Sequence, residues 1–285
     1  MNSGPPRIFD RNALRRHDER AQHIAGDRFL LREAVEGLGE RLSAVRRTFF
    51  SALELSREGT SAAPLHRWAQ QWTVEAFSND EVLRATPGAF DLVISILALH
   101  SVNDLPGVLV QARRTLKPDG LFLAVTFGGD TVFELKESLA AAEIETRGGV
   151  SPRVAPFADV RDLGALLQRA GFALPVTDVE RTVVRYGDFA KLVADLRAMG
   201  ETNALAERNR SPLSRATLAA TLAHYATHHA EPDGRLRATF DLVYLTGWAP
   251  DASQQRPLKP GSARARLADA LKTTEYGAGE PTPKR

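Results

Sequence analysis

FDLVISILALHSVNDLPGVLVQARRTLKPDGLFLAVTFGGDT, residues 90–131, decides the fold. From Phe90 to Leu99 it is a near-continuous apolar run carrying one acid, Asp91, which is how a strand covered on both faces reads. Such strands belong to parallel sheets. Leu105, Val108, Leu109, Ala112 and Leu116 then recur at helical spacing, with Pro106 tolerated because it falls in the first turn. Lys117-Pro118-Asp119-Gly120 stops that helix and turns the chain into a second buried strand, Leu121 to Phe127. Strand, helix and strand make one right-handed crossover unit. Asp91, at the start of its strand, reads as structural.

Upstream, Arg47 to Leu55 reads as a first strand, followed by SREGTSAAPL at 56–65. In an open α/β sheet this loop is where a nucleotide-like ligand lies, because glycines let backbone amides close on it. Gly59 is its single glycine, which makes a poor cradle. Trp68, Trp72 and Val74 to Phe77 suggest a short strand or helix, with Glu75 either a ribose-binding acid or a surface carboxylate. Leu55 and Asp91 are 36 positions apart, tight for two full crossovers, so an element of the first half is expected to be short or missing. The amino-terminal helices, rich in arginine at 11, 15, 16 and 20, read as a solvated layer or as a surface for an acidic partner.

Downstream, Gly128-Gly129-Asp130-Thr131 offers flexible backbone and an N-cap for a helix from Val132 to Thr146, whose Glu134, Glu137, Glu143 and Glu145 read as its solvated face. Gly148 to Phe157 is turn-rich, a loop placed to fold over the sheet edge. Helices follow at Asp159 to Gly171, Phe189 to Met199 and Arg215 to Ala230, and strands at Val176 to Tyr186 and Thr239 to Trp248. The expected architecture is α/β: a mainly parallel twisted sheet with helices on both faces and an antiparallel edge hairpin, its first half shortened. The expected domains are an N-terminal helical region (1–46), the α/β body (47–250, with a helical insertion at 188–231) and a tail (251–285) disordered from Thr274.

Composition narrows the function classes. With 285 residues, 43% hydrophobic and 25% charged, the chain can bury one large core. A net charge of +2 without a basic stripe does not point to nucleic acid. The absence of cysteine removes disulfides, thiolate metal sites and cysteine nucleophiles together. No apolar run reaches bilayer length and the amino end has no signal-like core, so a cytoplasmic protein is expected, without a transmembrane segment and with peripheral membrane association left open.

The strand-turn-strand block with FDLV and LKPDG resembles the Rossmann-like fold of class I S-adenosylmethionine-dependent methyltransferases. FGGDTVFELKESLAAAEIETRGGVSPRVAPFADVRDLGALLQRAGF (127–172), AMGETN (198–203), RPLKPGSA (256–263) and the amino-terminal IFDRNALRRHDERA (8–21) are more specific. They resemble the methyltransferase-type assembly factors of respiratory complex I, a group whose mitochondrial member is described as hydroxylating an arginine of a complex I subunit. The resemblance implies S-adenosylmethionine as cofactor, a protein substrate, and a donor bed at Glu54, Ser56, Gly59, Glu75 and Leu97. That group carries roughly LDxGxGxG in the first loop; this chain has Leu53-Glu54-Leu55-Ser56-Arg57-Glu58-Gly59, with a serine and a glutamate where two glycines belong. A side chain there blocks positive φ and close backbone approach. Ser101 likewise stands where the group has tryptophan.

Two readings stay open: an enzyme of this superfamily acting on a protein side chain, and an inactive scaffold that no longer binds the donor. For the enzyme, His100 is the candidate general base or orienting group, because it follows a strand's carboxyl end. Gly128, Gly129, Asp130 and Thr131 follow the next one, and Ser151 and Arg153 would shape a lid. His224 and His228 have the i, i+4 spacing of a metal pair, but with His229 they read as an exposed helix end, and no metal ligand is assigned.

Overall fold

The computed structural model describes residues 7–57, 63–255, 269 and 271–272. Its contacts divide the chain into Met1–Asp251 and Ala252–Arg285, and every named strand and helix lies in the first unit. Gly59, RPLKPGSA and the tail from Thr274 lie outside the described residues.

One six-stranded sheet has the order β2-β1-β3-β4-β6-β5. β1 (Phe49–Ser56), β2 (Ala69–Ala76), β3 (Phe90–Ile96) and β4 (Leu116–Phe127) run parallel. β6 (Leu236–Trp248) runs antiparallel between β4 and β5 (Ala173–Tyr186), forming the expected edge hairpin. The helices are α1 (Arg11–His23), α2 (Phe29–Ala44), α3 (Leu105–Thr115), α4 (Phe133–Arg147), α5 (Val160–Arg169), α6 (Phe189–Ala198) and α7 (Arg215–His228).

Side-chain alternation on the central strands builds two cores. Leu92, Ile94 and Ile96 of β3 and Leu123 and Val125 of β4 pack with Leu38 of α2, Leu139 of α4, Leu192 of α6 and Tyr225 of α7. On the opposite face Leu55, Val93, Phe122 and Ala124 meet Leu109 of α3 and Leu167 of α5. Each fully buried Leu, Ile or Val contributes about 1.5–3 kcal/mol. This two-sided burial is why these strands read as unbroken apolar runs.

Several local expectations need correction. The chain does have β2, paired in register with β1; the shortening falls on the connections, which among the described residues hold one 3-10 turn, Ala63–Trp68, and no α-helix between β1 and β3. Lys117 to Gly120 is an irregularity inside β4, with Asp119 in the left-handed region at φ 60°, rather than a turn before it. The N-cap of α4 is Val132, itself at φ 48° with no side-chain cap. Thr131 instead exchanges hydrogen bonds with the backbone of Asp241. Two glutamates assigned to a solvated face are buried: Glu134 accepts from Thr239 at 2.6 and 3.0 Å, and Glu143 holds Ser151 and Arg153. A carboxylate can be buried where such donors replace its water.

α2 crosses β6 at Gly37, where an added Cβ would overlap the Tyr244 ring. Gly37→Ala is expected to lower stability by about 1–3 kcal/mol despite alanine's better helix propensity, measured by denaturant unfolding; a stabilised variant would show that this contact yields freely.

Candidate functional site

All four parallel strands end at one rim, at Ser56, Ala76, Ile96 and Phe127, and in open α/β sheets ligands bind outside this edge. Backbone strain gathers there. Leu97, just past β3, sits at φ 44° with its N–H held by the Val125 carbonyl at 2.8 Å, and Val132 is likewise left-handed. Non-glycine residues in this region cost about 1–3 kcal/mol and persist where their surroundings fix them.

Four side chains meet at the rim. Arg57, the residue after β1, is almost fully buried and gives its guanidinium to Asp18 of α1, to Glu201 at 2.5 Å and to the Gly200 carbonyl at 3.2 Å. Glu201 also meets His100 Nε2 at 3.1 Å. Burial works against the Glu201 charge, but Arg57 and His100 beside it hold the carboxyl at about 2. Burial likewise opposes the Arg57 charge, and the two acids outweigh it, raising its pKa. An ionised carboxylate only accepts hydrogen bonds, so His100 Nε2 is the donor. Its Nδ1 is buried with no hydrogen-bond partner, and the ring rests against Phe127 and Phe157.

Cavities flank this network. One of about 270 Å³ is lined by His100, Thr131, Arg153, Phe157, Phe189 and Glu201 among others. Another of about 340 Å³ lies against Arg11, Asp18, Arg57, Phe77 and Asn79. Between them, beside Leu97, Arg57 and Glu201, only about 30 Å³ is open, roughly the volume of one water. A larger cavity of about 530 Å³ lies between α2 and the turn Ala63–Trp68, and His100 is not in its wall.

The sequence-predicted residues divide accordingly. His100, Leu97, Thr131 and Arg153 line the rim cavities. Glu54 is buried and paired with His66 at 3.0 Å. Ser56 is buried, its carbonyl accepting from Phe77. Glu75 spends both carboxylate oxygens on the Arg84 and Ala85 amides, so it props the connection to β3 rather than facing a ribose. Gly128 lies against Val243, and a Cβ there would come within 2.5 Å of it; Gly129 has more room, with Asp159 at 3.9 Å. Asp130 turns outward to Arg181 on the sheet edge instead of into the crevice. Ser151 and Arg153 are stapled to Glu143, which pins the loop over the pocket. Asp91 accepts from the Ser51 amide and pairs with Lys117, a structural arrangement. His224 stacks on His228 at 4.0 Å and His229 pairs with Glu137. Among the described residues no group of three or more such side chains could hold a metal.

Sequence reasoning missed Asp18, Arg57 and Glu201 as a unit. Each lay inside a quoted motif, in IFDRNALRRHDERA, in the degenerate loop and in AMGETN. The one available signal was an arginine at a loop position that needs little side chain.

A family profile described as a methyltransferase domain matches residues 36–175. The zebrafish Danio rerio protein named arginine-hydroxylase NDUFAF5, mitochondrial, is 35% identical, with 93% of this chain and 90% of that protein covered. The Dictyostelium discoideum protein of that name is 43% identical over 66% of this chain, which spans only 43% of its length. A malonyl-[acyl-carrier protein] O-methyltransferase of Halorhodospira halophila is 32% identical, with 93% of this chain and 96% of that protein covered. Among solved structures, a Bacillus halodurans protein described as a candidate methyltransferase superposes with a TM-score of 0.52 at 14% identity, with 76% of this chain and 99% of that one covered. That likeness speaks to fold alone. The expectation of a cytoplasmic protein is corrected by the NDUFAF5 relatives, which are named mitochondrial. No helix among the described residues is long and apolar enough to cross a membrane.

A carboxylate held at about 2 in the fold, against an ordinary 4.5, supports the fold fully above pH 4.5 and loses that support as pH falls toward 2. Glu201→Gln is therefore expected to cost about 3 kcal/mol at neutral pH, because Arg57 keeps only one acid, and to shed less further stability in acid than the parent. Urea unfolding across this pH range checks it; equal acid losses in both proteins would assign the effect to other carboxylates.

Proposed function

We infer, from a chain that belongs to the methyltransferase-domain family, that this protein modifies an arginine side chain of another protein during assembly of respiratory complex I. The observation that carries this reading is the near full-length match to the zebrafish arginine-hydroxylase, and the pocket beside His100 suits such a substrate. An arginine stem would pack along Phe127, Phe157 and Phe189, whose ring faces attract a guanidinium. Glu201, held ionised, would supply the counter-charge.

His100 would take a proton at Nδ1, the nitrogen left without a partner, while Nε2 stays on Glu201 and fixes the ring's tautomer. Glu201 thus acts through His100 as a positioning residue as well as facing the pocket. Thr131 and Arg153 shape the wall, the latter held by Glu143 on α4.

The family match supports S-adenosylmethionine as the cofactor. The first loop departs from the glycine-rich pattern at Ser56 and Arg57. Ser56 is buried and Arg57 occupies the rim where a glycine would let backbone amides approach, while the 340 Å³ cavity lined by Arg57, Ala76, Phe77 and Asn79 lies at the ends of β1 and β2. The contrary reading, a scaffold without chemistry, draws on that one loop. The relatives do not favour it, since they are named as enzymes.

His100→Ala is expected to keep a cooperative unfolding transition and to lose about a hundredfold in modification rate, the usual range for a general base. The readout is mass spectrometry of complex I subunits after incubation with the full chain, where one added oxygen distinguishes hydroxylation from one added methyl group. A fully active His100→Ala, or no mass change on any subunit with the parent protein, would overturn this reading.

A further inference from the structure

Arg57 is a guanidinium buried at the rim and bound from three directions. Its Nε and one terminal nitrogen reach Asp18, the other reaches Glu201 at 2.5 Å, and the Gly200 carbonyl accepts at 3.2 Å. Its side chain is 5% exposed. A buried arginine is retained only where its fork is satisfied in this way.

The acids around it are held in place by contacts that do not involve Arg57. α1 is tied to the segment after α6 by Thr202 on His17 at 2.8 Å, by the Asp10 amide on the Ala204 carbonyl at 2.8 Å and by Arg208 on Asp10 at 3.0 Å. Asn203 holds the Pro152 carbonyl at 2.8 Å, fixing the same segment to the loop over the pocket. Gly200 sits at φ +79°, and a Cβ there would lie 2.9 Å from Asp18 and 3.1 Å from Arg57, so only glycine lets α1 and this segment close to that distance. The cradle is a built feature of α1 and residues 200–203, and Arg57 arrives in it from a third element.

Two further observations point to a ligand. His100 shares Glu201 with Arg57, and its Nδ1 is buried and without a partner although its side chain is only 4% exposed. The cradle also opens on both sides: Asp18 and Arg57 line the 340 Å³ cavity, and Glu201 and His100 line the 270 Å³ one.

We propose that Asp18, Glu201 and the Gly200 carbonyl form a guanidinium-binding site that Arg57 fills in the resting protein, and that an arginine of the partner protein is bound by displacing it. This deepens the reading above, on which its biological meaning rests, and it assigns recognition to α1 and the segment at Gly200 and Glu201. It also sets specificity. Two carboxylates and a carbonyl around one guanidinium suit a fork of N–H donors, whereas a lysine ammonium is a point charge that cannot span them. Arg57 then acts as an internal competitor: the apparent affinity for an arginine ligand is reduced by the fraction of molecules in which Arg57 has left.

Arg57→Ala in the full chain tests this by thermal unfolding with ethylguanidinium chloride as probe, ethylammonium chloride and sodium chloride being the controls at equal ionic strength. The variant is expected to melt below the parent and to regain about 3 °C or more at millimolar ethylguanidinium, with no gain from ethylammonium and none for the parent. Adding Asp18→Asn to the variant is expected to abolish the gain, and N-acetylarginine amide to reproduce it where N-acetyllysine amide does not. If Arg57→Ala does not fold alone, the same probes are scored by recovery of its circular dichroism on refolding, with the same selectivity expected. A response equal for both cations, a response that survives Asp18→Asn, or no response by either readout would overturn the proposal. None of these readouts uses activity: selective rescue without any modified complex I subunit would remove the proposed function and keep the site, and the reverse result would do the opposite.

Discussion

β3 and β4 leave almost no side chain to water from Leu92 to Ile96 and from Leu121 to Phe127, and the molecule's layout follows from that constraint. A strand buried on both faces needs cover on both, so each parallel connection must cross back over the sheet. Four parallel strands connected in this way end at the same rim. The residues just past those ends, Arg57, Leu97, His100 and Thr131, come from separate stretches of chain, yet they surround one crevice. The position of the site is thus a by-product of where apolar area must go.

Inside the crevice the dominant forces are electrostatic. Asp18, Arg57, Glu201 and His100 are all withdrawn from water, where unpaired charges are costly and paired ones interact strongly. Such a network adds little net stability over an apolar filling, but it allows few alternative arrangements. It lies between α1, β1 and the segment after α6, beside the apolar cluster of Phe9, Ala13, Leu14, Ala204 and Leu205 that joins α1 to that segment.

What could be read in advance follows the range of the interactions involved. Buried strands announce themselves in consecutive residues, so β3, β4 and β6 were legible, and the hairpin order followed from the late pair of strands. His100 was legible as a rim residue because it directly follows a strand. Glu134 and Glu143 were not, since on α4 they fit a solvated face and only Thr239, Ser151 and Arg153, brought in by folding, show otherwise. Glu75 had the position expected of a ribose ligand and was claimed by two nearby amides. The partners of Arg57 lie 39 and 144 positions away, beyond any local pattern.

That separation carries a cost during synthesis. As the chain is made from its amino end, Arg57 and Asp18 emerge long before Glu201, so a nascent first half holds a cation that its own segment neutralises only in part. Closing the crevice has to wait until α6 and AMGETN have left the ribosome. Until then this edge is incomplete, and the segment that completes it is followed in the chain by α7 and β6, the strand that joins β4 to β5.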